Sequence, residues 1–280
     1  MRRWHVGCIA LLAVFALACE GGGGAAPAPT SRPRPGYPAS MAALGDSITA
    51  GVGSCVTLVA CSRNSWSTGG GSAVESHYLR IRDANDKIRG NNDNFAAPGA
   101  RAEDLAGQAD RAVQAKPAYV TVMIGVNDAC TGRVDDMTSA REFRAGIDAG
   151  LTRLKKGLPK SRILIVSLPD VYRLWKVGKD DERAVRAWSR GVCQSLLSRP
   201  ASTADADTQR RGRVRDRLDD YDEQLRQACA AYGRRCRWDG GAVHAVRFDL
   251  DLVNQLDYFH PNAKGQNRIA DATYPGRFTW

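Results

Sequence analysis

Five residues of this chain have the types and settings for shared chemistry: Ser47, Gly99, Asn127, Asp257 and His260. Ser47 follows an apolar run in Ala42-Ala43-Leu44-Gly45-Asp46-Ser47-Ile48-Thr49. Asn127 follows another, in Gly125-Val126-Asn127-Asp128, and Gly99 lies in Ala97-Pro98-Gly99-Ala100. Asp257 precedes His260 by three residues, so one tight turn can hold both on the same side. Acyl transfer from an ester needs a nucleophile, a base for its proton, and donors for the oxyanion that develops. Histidine can be that base near neutral pH, and a carboxylate can fix its tautomer. Asn127 offers a side-chain N–H₂ donor, and Ser47 and Gly99 offer backbone N–H groups. Taken by itself, Ser47 reads equally as a capping serine in an ordinary turn.

The elements around these residues form a pattern. Residues 41–44 read as a buried strand, Gly45-Asp46-Ser47 break it, and residues 48–50 start a helical turn. Residues 94–97 read as a short strand, turned at Pro98-Gly99-Ala100 into a helix over about 102–115. Residues 118–124 are β-branched and continuously apolar, the mark of a central strand. A helix over about 139–156 and a strand over 162–167 complete another crossover. Strands alternating with helices argue for a parallel sheet with helices on both faces. Three strand ends then carry Ser47, Gly99 and Asn127, at the edge where ligands collect in such folds. Residues 169–235 read as mostly helical, broken around 199–203, with Tyr221, Leu225, Cys229 and Tyr232 on a buried face. A last helix follows Asn262, with Pro261 in its first turn.

Other large side chains fall near these loops. Trp66, among small polar residues close to Ser47, is a candidate pocket residue or a loop anchor. Tyr172 and Trp175 follow a strand end and are candidates for an acyl-pocket wall, against simple helix packing. His77 reads as a hydrogen-bonded structural histidine.

Arg2 and Arg3, an apolar run over 8–18 and small residues after it make an export signal over residues 1–18, too short to span a bilayer permanently. Phe15-Ala16-Leu17-Ala18-Cys19 resembles a bacterial lipobox, with Cys19 as the lipidated residue; a soluble secreted product is the alternative. Residues 19–38 form a Gly/Pro-rich tether, and the folded domain is expected over 39–280. The formal charge of +10 favours anionic surroundings such as phospholipid headgroups or wall polymers. The arginines are interspersed with acids, as in Asp180-Asp181-Glu182-Arg183, so no basic block points to nucleic acid.

Beyond Cys8 and Cys19 there are six cysteines, enough for three disulfides in an exported domain. Short loops favour Cys55–Cys61 and Cys229–Cys236, which leaves Cys130–Cys193. The absence of any C-x-x-C pair counts against zinc.

The four blocks Gly45-Asp46-Ser47-Ile48, Ala97-Pro98-Gly99-Ala100, Gly125-Val126-Asn127-Asp128 and Asp257-Tyr258-Phe259-His260-Pro261-Asn262 occur in order over most of the expected domain. In them the chain resembles the SGNH (GDSL-type) hydrolases. That resemblance implies an α/β fold, a flavodoxin-like three-layer α/β/α sandwich on a central parallel sheet. It implies Ser47 as nucleophile, His260 as general base and acid, and Asp257 as the residue orienting it. It also implies an oxyanion hole from the Ser47 and Gly99 amides and the Asn127 side chain. Ser65-Trp66-Ser67-Thr68-Gly69-Gly70 and Asp128-Ala129-Cys130 resemble the phospholipase B-like branch and disulfide-bearing secreted actinobacterial esterases. The expectation is a secreted or surface-anchored serine carboxylester hydrolase: an esterase or lipase, with phospholipase activity within its range. It would use no metal or cofactor and act as a monomer on small-molecule or lipid esters. The alternatives are a carbohydrate O-acetylesterase and an inactive, tethered binding module.

Overall fold

Met41–Gly45 forms β1, a strand with every residue buried, and this computed structural model describes the chain over residues 34–274. The expected export signal, Cys19 and the expected tether up to residue 33 lie outside the described residues. An uncharged, continuously apolar segment is what a strand covered on both faces requires. Its partners are β2 (Asn92–Asn94) on one side and β3 (Tyr119–Met123) on the other; β4 (Arg162–Ile165) and β5 (Cys236–Trp238) follow outward. All four pairings are parallel, in the order β2-β1-β3-β4-β5. The strand order reverses between β1 and β3, and open sheets of this kind bind ligands outside the carboxyl ends at that point.

Among the described residues the α-helices are α1 (His77–Ala84), α2 (Leu105–Ala115), α3 (Val126–Ala129), α4 (Ala140–Gly157), α5 (Val171–Gly178), α6 (Glu182–Trp188), α7 (Gln194–Leu197), α8 (Asp205–Tyr232) and α9 (Ala263–Thr273). On one face α2 packs on β1 and α4, and α4 packs on α8, which also contacts β4 and β5. On the other face His77 of α1 lies between the Tyr119 hydroxyl of β3 at 3.0 Å and Thr273 Oγ1 of α9 at 2.9 Å. Burial holds the His77 pKa down at about 3, so the ring stays neutral and structural. The result is a three-layer α/β/α fold with the apolar core on both sides of the sheet.

Local chemistry sets several boundaries. Ser139 and Glu142 form a reciprocal capping box that starts α4, and Lys155 and Lys156 sit favourably at its carboxyl end. The three disulfides pair as the spacing suggested. Cys130–Cys193 ties the end of α3 to the start of α7, and Cys229–Cys236 ties the last turn of α8 to β5.

Five details differ from the sequence expectation. The strand expected over 94–97 is 92–94: Asn-Asp-Asn on a half-exposed edge needs no apolar residues, and residues 95–97 form the loop beyond it. β5 was not expected, because three residues after a long helix carry no periodic signal. Residues 46–50 make one helical turn, closed by the Ala50 N–H on the Asp46 carbonyl at 2.9 Å, and no helix follows. Pro261 precedes the amino-terminal cap of α9 instead of entering its first turn; the Asn262 side chain is the cap, accepting from the Gly265 N–H. Contacts with the domain begin ahead of residue 39. The Arg34 N–H donates to the Ala84 carbonyl, and the Asn85 amide donates to the carbonyls of Tyr37 and Pro38.

Candidate active site

β1 ends in Gly45, whose backbone geometry (φ +152°) and surroundings admit no side chain: a Cβ would lie 2.2 Å from the Met123 carbonyl oxygen and 2.7 Å from Thr49 Oγ1. The chain then turns within one residue, and Ser47 emerges at the carboxyl edge of the sheet with 8% of its surface exposed. Asp46 points inward and stabilises the turn by accepting the Ile48 N–H at 2.9 Å. From behind, Gln266 of α9 donates to the Ile48 carbonyl at 2.8 Å and accepts the Trp66 N–H at 2.9 Å.

The segment 254–262 brings the other two groups. The Asn254 N–H donates to the His260 carbonyl and the Tyr258 N–H to the Asn254 carbonyl, both at 2.8 Å, closing a tight loop. Tyr258 at its centre takes left-handed backbone angles, and its carbonyl accepts from the Trp188 indole at 3.1 Å. Within the loop Asp257 Oδ1 accepts the N–H groups of Phe259 and His260, which aims the carboxylate at the imidazole. His260 Nδ1 lies 2.5 Å from Asp257 Oδ2, and His260 Nε2 lies 2.9 Å from Ser47 Oγ. With Nδ1–H donating to the carboxylate, Nε2 is the acceptor for the serine hydroxyl proton. Asp257 is almost fully buried, which keeps bulk water from competing for that bond.

The groups expected to hold an oxyanion stand on the neighbouring strand ends. Asn127, at the start of α3, gives one amide N–H to the Ala100 carbonyl at 3.0 Å and retains a second. The backbone N–H groups of Ser47 and Gly99 have no acceptor among the described residues. Gly99 has positive φ (+82°) and lines an open depression with Pro98, Gln108 and Arg111. Two buried carboxyls support these loops. Asp128 accepts the Ala102 N–H, and burial lifts its pKa to about 6; burial lifts Asp46 to about 7.

For the larger side chains the structure favours the packing alternatives over the pocket ones. Trp66 is fully buried, donates from its indole to Thr49 Oγ1 at 3.3 Å and packs edge-on against His77. It anchors the serine turn from inside the core and lines no cleft. Tyr172 and Trp175 share one face of α5 and lie against α8 and the loop before it. Arg211 stacks 4.4 Å from the Trp175 ring, Arg215 lies over Tyr172, and the Trp175 indole donates to the Pro200 carbonyl. Helical periodicity puts Val171 and Leu174 on the adjacent face, where with Ile48, Phe248, Val253 and Phe259 they line a small apolar pocket beside the Ser47 and His260 loops. Residues the sequence did not single out also shape the site: Gln108, Gln266 and Asn254. Glutamine within a helix reads as an ordinary solvated position, so no local signal marked the first two.

A profile of the GDSL-like lipase/acylhydrolase family matches residues 41–273. The chain belongs to this family. A GDSL-like hydrolase of this kind is an enzyme, and its fold recurs in solved structures. A putative GDSL-like lipase from Parabacteroides merdae superposes with a TM-score of 0.51 at 15% identity, over 83% of this chain and 92% of that one. An acetyl-xylooligosaccharide esterase from Geobacillus gives 0.49 at 17% identity, over 83% and 91%. An extracellular lipase from Streptomyces rimosus gives 0.47 at 16% identity, over 82% and 95%. A search of curated protein sequences finds no match.

Proposed function

We propose that this GDSL-like hydrolase is an exported serine carboxylester hydrolase that works through an acyl-Ser47 intermediate. The observation that carries the reading is the continuous hydrogen-bonded chain Asp257–His260–Ser47 at the sheet edge. His260 Nε2 takes the Ser47 proton as Oγ attacks the ester carbonyl carbon, and the carbonyl π electrons move to oxygen. The Ser47 and Gly99 N–H groups and the free Asn127 N–H receive that oxyanion. As the tetrahedral centre collapses, the bond to the alcohol oxygen breaks and His260 returns the proton to the leaving alcohol. Water then repeats the sequence: it loses a proton to His260, attacks the acyl carbon, and frees the acid and Ser47. Asp257 holds the imidazole in the tautomer this needs and stabilises the imidazolium.

Export is supported by the sequence signal over residues 1–18 and by three disulfides, which persist in oxidising compartments. Anchoring through a lipidated Cys19 is part of the proposal, with a single chain as the working unit. The mass of the mature amino-terminal peptide tests the anchor.

The reaction is tested by hydrolysis of p-nitrophenyl esters from acetyl to palmitoyl, with Ser47→Ala as control and a fluorophosphonate as label. Ser47-dependent turnover and labelling at Ser47 are expected. A folded, disulfide-intact protein that turns over no ester and resists the label would return the chain to the binding-module reading. A second hydrolytic reading, removal of acetyl groups from a polysaccharide, is favoured by the open depression at Gly99 and the small size of the apolar pocket. A sharp preference for acetyl, with release of acetate from acetylated sugars, would select it.

A further inference from the structure

The described surface exposes five large hydrophobic side chains, and four of them lie on two loops that are joined at their roots to the serine turn and the histidine loop. Val56, Leu58 and Val59 are 87%, 41% and 64% exposed, and all lie in the loop stapled by Cys55–Cys61. Leu256, 54% exposed, immediately precedes Asp257. Isolated exposed apolar residues are ordinary; three of them within one seven-residue stapled loop, with a fourth beside Asp257, are not.

The two loops share a root. The Gly53 carbonyl accepts from the Asn254 amide at 2.7 Å, and Asn254 Oδ1 in turn accepts the Leu256 N–H at 2.8 Å. A Cβ on Gly53 would lie 2.9 Å from the His260 Cβ and 3.2 Å from the Asn254 Cβ, so the stapled loop and the histidine loop pack backbone to side chain. The Cys61 N–H donates to the Ala50 carbonyl, which fixes the far foot of the staple to the serine turn. A loop held by a covalent bond and by these contacts presents apolar side chains to solvent without an internal partner for them.

The charge pattern says what kind of surface fits. No charged residue occurs between Asp46 and Arg63, nor from Leu252 to Leu256. Arg63, at the foot of the staple, is exposed and its guanidinium makes no ion pair among the described residues. The chain as a whole carries +10. An uncharged apolar tip with Arg63 at its base, on a cationic protein, matches a bilayer surface with anionic phosphate headgroups, where apolar side chains enter the acyl boundary and cations stay at the phosphates. The acids nearest the surface, Asp251 and Asp257, bracket the Leu256 stretch and not the stapled loop.

We infer that the stapled loop 55–61 together with Leu256 is a docking surface for an anionic phospholipid bilayer, seating the Ser47 edge of the sheet on the interface. The inference rests on the carboxylester reading, whose lipid-ester substrates are presented at such a surface.

The test uses full-length, disulfide-intact protein carrying Cys19→Ser, to exclude an acyl anchor, and Ser47→Ala, to exclude turnover. Its co-sedimentation with phosphatidylglycerol/phosphatidylcholine vesicles is compared with that of the same protein carrying Val56→Ser, Leu58→Ser and Val59→Ser. The triple change is expected to weaken partitioning by about tenfold or more. In the Ser47-intact protein the triple change should leave hydrolysis of soluble p-nitrophenyl acetate within about twofold, which also reports correct folding. Equal vesicle binding by the two proteins overturns the inference, as does no binding by the parent. Concentration-dependent dimerisation abolished by the triple change overturns it in favour of a second copy of the chain. Because binding is read without turnover, vesicle binding in a protein that hydrolyses no ester would fail the carboxylester reading and leave the docking surface standing.

Discussion

Gln108 of α2 holds both peptide groups of Gly45: its amide oxygen accepts the Gly45 N–H at 2.7 Å, and its amide nitrogen donates to the Gly45 carbonyl at 2.9 Å. The pair fixes the last residue of β1, and so the direction in which Ser47 leaves the sheet. Gln108→Leu keeps the volume and strands the buried Gly45 N–H, while the Gly45 carbonyl keeps the Ala97 N–H at 3.1 Å. The change should cost about 1–3 kcal/mol. Denaturant unfolding should show that loss. Turnover of p-nitrophenyl acetate should fall more than KM rises, because the serine turn and not the substrate is disturbed.

Asp257→Asn preserves the shape of the loop and removes the carboxylate opposite His260 Nδ1. The imidazole then no longer has a partner that enforces the reactive tautomer. Turnover should fall by roughly 10³–10⁴-fold with KM little changed. Steady-state kinetics checks this, and a fall of less than tenfold would remove Asp257 from the proposed mechanism.

Asn127→Ala deletes the side-chain N–H that remains after the bond to Ala100. The effect should be confined to the transition state, with kcat lowered by roughly 10²–10³-fold and substrate affinity retained. Single-turnover acylation separates this from a folding defect.

Asp46 gives the folded protein a distinct pH dependence. Burial raises its carboxyl from an ordinary value of 3.8 to about 7, and one of its oxygens is buried with no hydrogen-bond partner. Between about pH 4 and pH 7 the folded chain therefore binds a proton that the unfolded chain has released. Its contribution to stability falls as pH rises through that window. Asp46→Asn should flatten this slope, measured as the midpoint of urea unfolding between pH 4 and pH 7. An unaltered slope would show that Asp46 ionises in the folded state as it does in the unfolded one.

The burial of Trp66 and the packing of Tyr172 and Trp175 on α8 separate stability from specificity. Trp66→Ala should cost about 3–5 kcal/mol as a core truncation, with little change in the acyl-chain profile of the residual folded protein. Leu174→Ala, which enlarges the apolar pocket beside the site, should shift the profile towards longer acyl chains, while Tyr172→Ala should not. A p-nitrophenyl ester series reads all three.

The sequence by itself determined the central strands, the loops at their carboxyl ends and the groups those loops carry. Residues 41–45 and 119–123 are legible because a strand buried on both faces must be apolar throughout. Ser47, Asn127 and the Asp257–His260 turn stand out because each sits in one of the four ordered blocks that resemble the family, whereas Ser47 taken by itself reads equally as a turn cap. The cysteine spacing favoured the pairs that form, since two of the three close short loops. Only the tertiary structure decided the rest. Gln108 and Gln266 act across 63 and 218 residues of sequence, and a hydrogen bond over that distance leaves no mark on its neighbours. Trp66 read equally as a pocket residue or a loop anchor because its neighbours are small and polar; those neighbours are themselves buried and hydrogen-bonded, so the loop folds inward and the tryptophan is an anchor. On α5 the largest side chains drew attention, but which face of a helix meets a site is fixed by what packs on its other side, here α8 and its arginines. Side-chain type is a local property of the chain; orientation and partnership are set by the packing of segments distant in sequence.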